Sequence, residues 1–530
     1  MNLFYPRIDW RGEGPGYAEM EFPLYPWLIA LLYRLWGYHE VAGRLLAYLF
    51  SLATIVVFFK LARYLLPLTG AIIASLFFVL SPLAITISTA LQSEGLMFLT
   101  YLLAAYAFVR WLDKSSWRDY GVALVATALS ILAKATAAHI GLLFAILVLR
   151  QMGIAAIRQI RIWFFAIASL LPGLLWYAHA HRLWLAYGNS LGVSNEYHWA
   201  GWDLFTNPNF VVDIGRSEAL YVWMPAGVIV AILGVWLRRY ETERAVSYSL
   251  LWLAAILVYY LIIARTSGDD WAVYYHIVSL PPVALLIGVG GDVIGQIKLP
   301  FRLLTTATFS LGIIAMLSGA IGVLSLLGGW PVFFPSISNW TVKIAGVSGL
   351  AALVLIVILL DSSSNRWGEI TKERPLLSGL VVAASLLTVL CITFLSQVRQ
   401  VLFDLYSSRR PSELYTCAQK FARFVPQGAL ILASGGTCKD PTGYPVAYNA
   451  SYMFYWMDRK GFNICEEEQS LEAIAAFAER GAKYFVAEKK SLSAKPGLEV
   501  QLRNALQVVS ECEQAILFQL PQSVMVKSLK

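Results

Sequence analysis

AGRLLAYLFSLATIVVFFKLARYLLPLTGAIIASLFFVLSPLAITIST, residues 42–89, decides the class of this chain. Its two apolar runs, 42–64 and 70–89, have the length of about 20 residues at which a helix crosses a hydrocarbon layer ~30 Å thick. No water reaches the backbone there, so a spanning segment must satisfy its own N–H and C=O groups, as a helix does. A membrane barrel would instead show alternating segments of about 10 residues, and none is present. The rest of the 530 residues continue in kind: 58% are hydrophobic and 14% charged, where a soluble domain carries roughly 25% charged residues. Mean hydropathy is +0.62. Further runs at 93–112, 118–134, 139–150, 162–180, 219–236, 246–264, 276–296, 303–326, 342–360 and 376–397 bring the expected total to about twelve spans. The run 139–150 is short for a crossing and can be half of a broken hairpin with 118–134. Residues 22–37 are shorter than a span; an amphipathic helix lying in the interface is expected, with Trp27 and Trp36 at headgroup level.

The formal net charge of +8 belongs to the loops, and no zinc-finger, helix-turn-helix or RNA-binding signature gives it a nucleic-acid meaning. Loop charge alternates. One set of loops holds sixteen basic residues: Lys60, Arg63, Arg110, Lys114, Arg118, Arg150, Arg158, Arg161, Arg238, Arg239, Arg244, Lys298, Arg302, Arg366, Lys372 and Arg374. The other set, between residues 89 and 341, holds Lys134, Arg182, Arg216 and Arg265. The positive-inside rule assigns the first set to the cytoplasm. Residues 1–41, the loop 181–218 and everything after 398 then face outward. An N-terminus that starts outside with no span before it leads to the expectation that a longer form of the chain carries a first helix.

The charged residues return after 398. Strand-like runs at 429–434, 483–488 and 515–520 alternate with helical stretches at 412–425 and 470–481, which indicates a small α/β domain. The division expected is thus an outer loop with interfacial helix over 1–41, a transmembrane domain over 42–397 and a soluble extracytoplasmic domain over 398–530. Cys417, Cys438, Cys465 and Cys512 fall in the last of these. Outside the cytoplasm they can form disulfides, with three pairings open, or remain buried thiols.

Ionisable groups at membrane edges are costly and call for a reason. The outer-facing set is Asp9, Glu19 and Glu21 in the first loop, Gln92 and Glu94 at the next turn, Lys134 at the one after, and Tyr274, Tyr275 and His276 before the ninth span. A carboxylate can take a proton from an acceptor hydroxyl, while a cation and phenols hold an anionic leaving group such as phosphate. Taken singly, each has a plainer reading. Glu94 can favour a helix start, Lys134 can snorkel, the tyrosines can belong to an aromatic belt, and Asp9 and Glu19 can be solvated loop charges. No HExxH, CxxC pair or Walker loop is present, so zinc and nucleotide hydrolysis have no support. Glu21 and Glu94 can share a divalent ion, a weak signal by itself.

The run from Tyr17 to Gly37, YAEMEFPLYPWLIALLYRLWG, resembles the end of the first outer loop in membrane glycosyltransferases of the GT-C fold. These comprise the dolichyl-phosphate-mannose protein mannosyltransferase superfamily and the bacterial aminoarabinose transferases to lipid A. Arg44, Ser81-Pro82-Leu83, Gln92-Ser93-Glu94, Ala133-Lys134 and Tyr274-Tyr275-His276 leading to Leu280-Pro281-Pro282 resemble further family motifs in the family's order. The motifs cover roughly residues 1–300, and topology covers the rest. The resemblance implies one span more than the twelve counted, as if the first helix were missing. It implies a lysine turn facing the lipid phosphate, matched by Lys134. It also implies a catalytic Asp early in the first outer loop, to which Asp9 is the nearest Asp. Glu21 stands where the aminoarabinose enzymes carry a lysine, which suits an acceptor or base role better than a phosphate contact.

The function expected is transfer of a sugar from a polyprenyl-phosphate donor to an acceptor hydroxyl on the outer face, with inversion. Glu94, Glu21 and Asp9 are the candidate catalytic residues. Lys134, Tyr274, Tyr275 and His276 are the candidates for holding the donor phosphate, and Glu19 and Gln92 for the acceptor. The partners are the lipid-linked donor and a glycan, lipid or protein acceptor, in a bacterial inner membrane. A transporter would show midplane charges and inverted repeats, which the chain lacks. A non-catalytic envelope scaffold is the other alternative.

Overall fold

A computed structural model describes residues 2–12, 14–193, 206, 208–236, 240–262, 267–268, 270–294, 398–399, 411–439, 443, 446 and 449–521. The helices of its apolar part are α1 (Leu24–Trp36), α2 (Glu40–Leu65), α3 (Leu68–Leu80), α4 (Pro82–Thr89), α5 (Glu94–Lys114), α6 (Trp117–Ala133), α7 (Ile140–Met152), α8 (Ile160–Tyr187), α9 (Pro208–Ser217), α10 (Pro225–Trp236), α11 (Tyr240–Ile262) and α12 (Leu280–Ile294). Among the described residues six helices are long and apolar enough to cross a membrane, or eight if each of two bent pairs is one span. Nine of the twelve expected runs fall wholly or mostly in these residues: six as single helices of spanning length, two in bent pairs, and 118–134 as a 17-residue helix. The runs 303–326, 342–360 and 376–397 lie outside the described residues.

The departures from straight spans have local causes. The run 70–89 is α3 and α4, bent by 57°. Pro82 lacks an N–H, and its ring clashes with the preceding turn, so Ser81 is extended and a new helix starts there. The run 219–236 begins in a π-helical turn, Glu218–Trp223, that ends at Met224 with φ +53° before α10. The run 139–150 proves longer than expected. Short 3-10 turns, Ala135–His139 and Gly153–Arg158, extend α7 into a 24-residue element long and apolar enough to cross a membrane. By contrast α6 has 17 residues. The helix α1 has 13 residues, fewer than a crossing needs, and leaves Leu35 and Trp36 exposed.

Small residues let backbones approach where α12 crosses its neighbours. A Cβ on Gly288 would lie 2.5 Å from the Gly70 carbonyl, and one on Gly234 would lie 2.5 Å from the Gly290 nitrogen. With little hydrophobic drive between helices in lipid, such close packing holds them together.

The charge alternation has a spatial counterpart. At one end of the bundle Arg244 pairs with Asp113, Arg110 with Asp119 at 3.4 Å, and Lys114 lies 5.8 Å from the Tyr64 ring centre. At the other end the first loop, the segment after α8 and the C-terminal sheet meet. The Glu19 amide donates to the Asn189 carbonyl at 2.9 Å, and the Leu191 amide returns to the Glu19 carbonyl at 2.9 Å. The Gly461 amide donates to the Asp9 carbonyl at 2.9 Å and the Gly12 amide to the Gly461 carbonyl at 2.7 Å. From α1 and the turn after it, Tyr33 and Tyr38 hydrogen-bond the hydroxyl and carbonyl of Tyr455 at 2.9 and 3.0 Å. The described parts of these three segments are thus in contact at one end of the bundle.

The C-terminal part is an α/β layer. Its strands are β1 (Leu430–Ser434), β2 (Gly461–Ile464), β3 (Ala482–Glu488), β4 (Gln507–Glu511) and β5 (Ala515–Gln519), in the order β2-β1-β3-β5-β4. The strands β2, β1 and β3 run parallel, while β5 and β4 are antiparallel additions. The apolar runs expected as strands are β1, β3 and β5; the edge strands β2 and β4 were not expected, being short or half polar. Gly461 opens β2 because a Cβ there would lie 1.6 Å from the Ile431 carbonyl oxygen. Of the three pairings open to the cysteines the structure has Cys417–Cys512 and Cys438–Cys465.

Glu488 closes β3 over this core. Burial pushes its carboxyl up to about 7, against the Ser451 hydroxyl that donates to it at 3.3 Å. The unfolded chain loses that proton in the ordinary carboxylate range. The stabilisation is therefore complete at acid pH and falls away as pH rises from there through about 7. Melting followed by the signal of this sheet should show a higher midpoint at pH 5 than at pH 8. In Glu488→Gln that difference should shrink.

Candidate active site

The two residues that anchor the site stand at helix ends. Lys134 follows α6 in an extended conformation, φ −158° and ψ 118°, before the 3-10 turn Ala135–His139. This break turns its side chain inward toward Glu94, the first residue of α5. The Lys134 ammonium and the Glu94 carboxylate form a buried ion pair. The 3-10 stretch Asp270–Ser279, kinked at Ala272 ahead of α12, lays two phenol rings across the pair. Lys134 Nζ is 4.2 Å from the Tyr275 ring centre and 4.8 Å from that of Tyr274, and the rings stack 4.7 Å apart. Away from water a cation over aromatic faces is held more strongly than at a surface.

Glu21 enters from the first loop. The Phe22 amide donates to the Leu132 carbonyl at 3.1 Å and the Trp176 indole to the Met20 carbonyl at 3.0 Å, so both flanks of Glu21 are tied to α6 and α8. Ser93 Oγ donates to Glu21 Oε2 at 2.8 Å. Burial raises the Glu21 carboxyl above its usual range; the Lys134 charge opposes this and the Glu94 charge adds to it. Tyr177 of α8 has a buried hydroxyl and lies within electrostatic reach of both Glu21 and Lys134. The cluster thus holds two carboxyl groups, one ammonium and three phenols. Taking such charges out of water costs more than their pairing returns unless their geometry is held. His139 supplies part of that hold: its Nδ1 lies 2.7 Å from the Thr136 carbonyl, which only accepts, so in the neutral imidazole Nε2 accepts from the Tyr101 hydroxyl at 2.8 Å. The Trp252 indole donates to the same hydroxyl at 2.8 Å.

Of the residues singled out from the sequence, Glu21, Glu94, Lys134, Tyr274 and Tyr275 converge here. The structure places the others elsewhere. Asp9 is exposed beside β2, where its backbone serves the contact with Gly461. Glu19 is buried and tied down, accepting from Ser190 Oγ at 2.6 Å and lying 3.3 Å from His181 Nδ1, which makes it a brace between two loops. Gln92 is exposed at the turn before α5. His276 turns away from Lys134 to Glu218, 2.8 Å from its Nδ1. Three consecutive residues of a 3-10 helix leave in different directions, so Tyr274, Tyr275 and His276 cannot all face one ligand. Sequence reasoning missed Ser93, Tyr177 and Glu218. Glu218 had a signal, an acid at the head of an apolar run; Tyr177 lies within one and had none.

Residues 20–176 match the family model for dolichyl-phosphate-mannose-protein mannosyltransferase. All the converging residues except Tyr177, Tyr274 and Tyr275 fall in that stretch. No curated protein sequence matches the chain. The chain is similar in structure to ArnT from Cupriavidus metallidurans. Against ArnT bound to undecaprenyl phosphate the TM-score is 0.53 at 14% identity, covering 96% of this chain and 89% of that one. Against ArnT in the apo state it is 0.52 at 13% identity, covering 95% and 88%. The oligosaccharyltransferase of Archaeoglobus fulgidus in the apo form follows at 0.39 and 12% identity, covering 92% and 62%, too distant to bear on the fold. The resemblance to GT-C glycosyltransferases seen in the motifs is thus met again in the family model and in the fold.

Proposed function

We propose that this protein is a membrane glycosyltransferase that moves a sugar from a polyprenyl-phosphate donor to an acceptor hydroxyl. The observation that carries this reading is the buried Lys134–Glu94 pair, with Glu21 beside it and Tyr274 and Tyr275 over it, at the bundle end away from the basic loops. The undecaprenyl phosphate held by the similar ArnT structure supports a lipid phosphate as the anion. An apolar groove of about 260 Å³ supports a lipid too. Its walls include Ile131 of α6 and Ala138, on either side of Lys134 in sequence, and Phe108, Phe144 and Phe165 farther along the bundle.

In this reading the donor phosphate replaces Glu94 as the partner of Lys134. The acceptor oxygen attacks the anomeric carbon from the face opposite the phosphate, and the bond from that carbon to the phosphate oxygen breaks. The electron pair leaves on the phosphate, held by Lys134, and the acceptor proton goes to the released Glu94 carboxylate. One displacement inverts the anomeric centre. The two disulfides support an oxidising, extracytoplasmic side for the C-terminal sheet and hence for the site.

Purified protein given radiolabelled polyprenyl-phosphate sugars should release free lipid phosphate together with a glycosidic product. Release that survives in both Glu94→Gln and Lys134→Ala would sink the assignment. Uptake of label into proteoliposomes with no glycosidic product would favour a transporter instead.

A further inference from the structure

A second, largely buried polar group lies beside this cluster and outside it. Glu218 Oε1 lies 2.8 Å from His276 Nδ1 and accepts from the Tyr260 hydroxyl; Oε2 accepts from the Trp223 indole at 3.1 Å. His276 Nε2 is 2.8 Å from the Ser267 carbonyl, and the Tyr260 hydroxyl is 2.6 Å from Ser279 Oγ. The His276 side chain is 0% exposed and that of Glu218 16%. A carbonyl oxygen only accepts, so Nε2 carries a hydrogen. Nδ1 faces a carboxylate oxygen, so one proton must lie between them. Whichever atom holds it, the pair is neutral overall and each donor meets an acceptor. The π-helical turn Glu218–Trp223 makes this possible, because residues five apart align on a π-helix and the two side chains meet.

Every donor in this neutral group meets an acceptor, and the group sits where it can hold the rings that cover Lys134. Tyr274 and Tyr275 directly precede His276 in the Asp270–Ser279 helix. Tyr259, next to Tyr260 on α11, donates its hydroxyl to the Tyr275 carbonyl at 3.3 Å. We infer that Glu218 and His276 are positioning residues that pin the Asp270–Ser279 helix and so set Tyr274 and Tyr275 over Lys134. The inference rests on the reading of Lys134 as the phosphate site and adds how that site is kept in register.

The hydrogen-bond pattern separates positioning from charge. In Glu218→Gln the amide nitrogen can take the place of Oε1 and donate to His276 Nδ1. Its oxygen still accepts from Trp223, and Tyr260 turns to donate to Ser279. The network survives with a neutral imidazole. Glu218→Ala and His276→Phe break it. The measurement is the affinity of the full chain in lipid nanodiscs for undecaprenyl phosphate. Misplacement of the rings should weaken binding about tenfold or more in Glu218→Ala and His276→Phe, and Glu218→Gln should stay within about twofold of the parent. If Glu218→Ala does not fold, His276→Phe and Tyr260→Phe carry the comparison. Parent-like binding by the folded broken-network variants, with Lys134→Ala weakened, would overturn this inference and leave the phosphate reading standing. Equal weakness of Glu218→Gln and Glu218→Ala would overturn it too. Parent-like binding by Lys134→Ala would remove the phosphate reading, and this inference with it.

Discussion

Lys134→Ala is expected to give the largest loss of any single substitution in this protein, and on two separate readouts. The ammonium is the counter-charge of two carboxyl groups, paired with the buried Glu94 and acting on the half-buried Glu21. Removing one partner of a buried ion pair costs about 3–5 kcal/mol, because the charge left behind stays buried. The thermal midpoint in detergent should therefore fall. Sugar transfer should fall further, by on the order of 10²–10³, since the group that stabilises the leaving phosphate is gone. The double variant Lys134→Ala/Glu94→Gln tells the two effects apart. It removes a stranded charge, so much of the midpoint should return while activity does not. A double variant that regained activity together with stability would mean that Lys134 is only a structural counter-ion.

The second large effect is expected from the Cys417–Cys512 disulfide. It closes a stretch with a sequence separation of 95 and ties the Pro411–Phe421 helix to the end of β4. Cross-links of this kind restrict the unfolded chain, and removing one from a small domain costs about 2–5 kcal/mol. Cys417→Ala/Cys512→Ala should lower the melting midpoint of the sheet strongly. The Cys438–Cys465 link, with a separation of 27, should matter less, by about 1 kcal/mol on loop length alone. Melting each double variant with and without reductant checks both. In Cys417→Ala/Cys512→Ala, reductant should remove only the smaller remaining contribution. The first loop sits on β2 through Gly461, Asp9 and Gly12, so loss of the sheet should also loosen the segment that carries Glu21.

Much of the membrane part was legible because its signal is local. A run of apolar residues needs no partner to declare itself, and each expected span within the described residues falls on a helix. What local reading could not supply is the geometry at breaks. Pro82 divides one run into two bent helices, and the π-turn at Glu218 divides another. The 3-10 turns around α7 lengthen a run that looked too short. In the C-terminal part β1, β3 and β5 showed themselves by buried apolar runs. The edge strand β4 did not, since one side of it faces water and its sequence is half polar.

The site divided along the same line. Glu94 and Lys134 could be picked out because charges at the ends of apolar runs are expensive anywhere in the chain, whatever they touch. Counting loop charges led to the expectation that Glu21, Tyr274 and Tyr275 lie on one side. Which of the outer-facing groups meet was decided only by the fold. The extended turn at Lys134 aims its side chain at α5, the ties of Met20 and Phe22 to α8 and α6 bring Glu21 to Ser93, and the 3-10 path of residues 270–279 sends two tyrosines to Lys134 and His276 to Glu218. Burial cost is a property of each residue and can be read along the sequence. Pairing is a property of directions in space, and those are set by helix breaks and loop anchors that the whole structure holds in place.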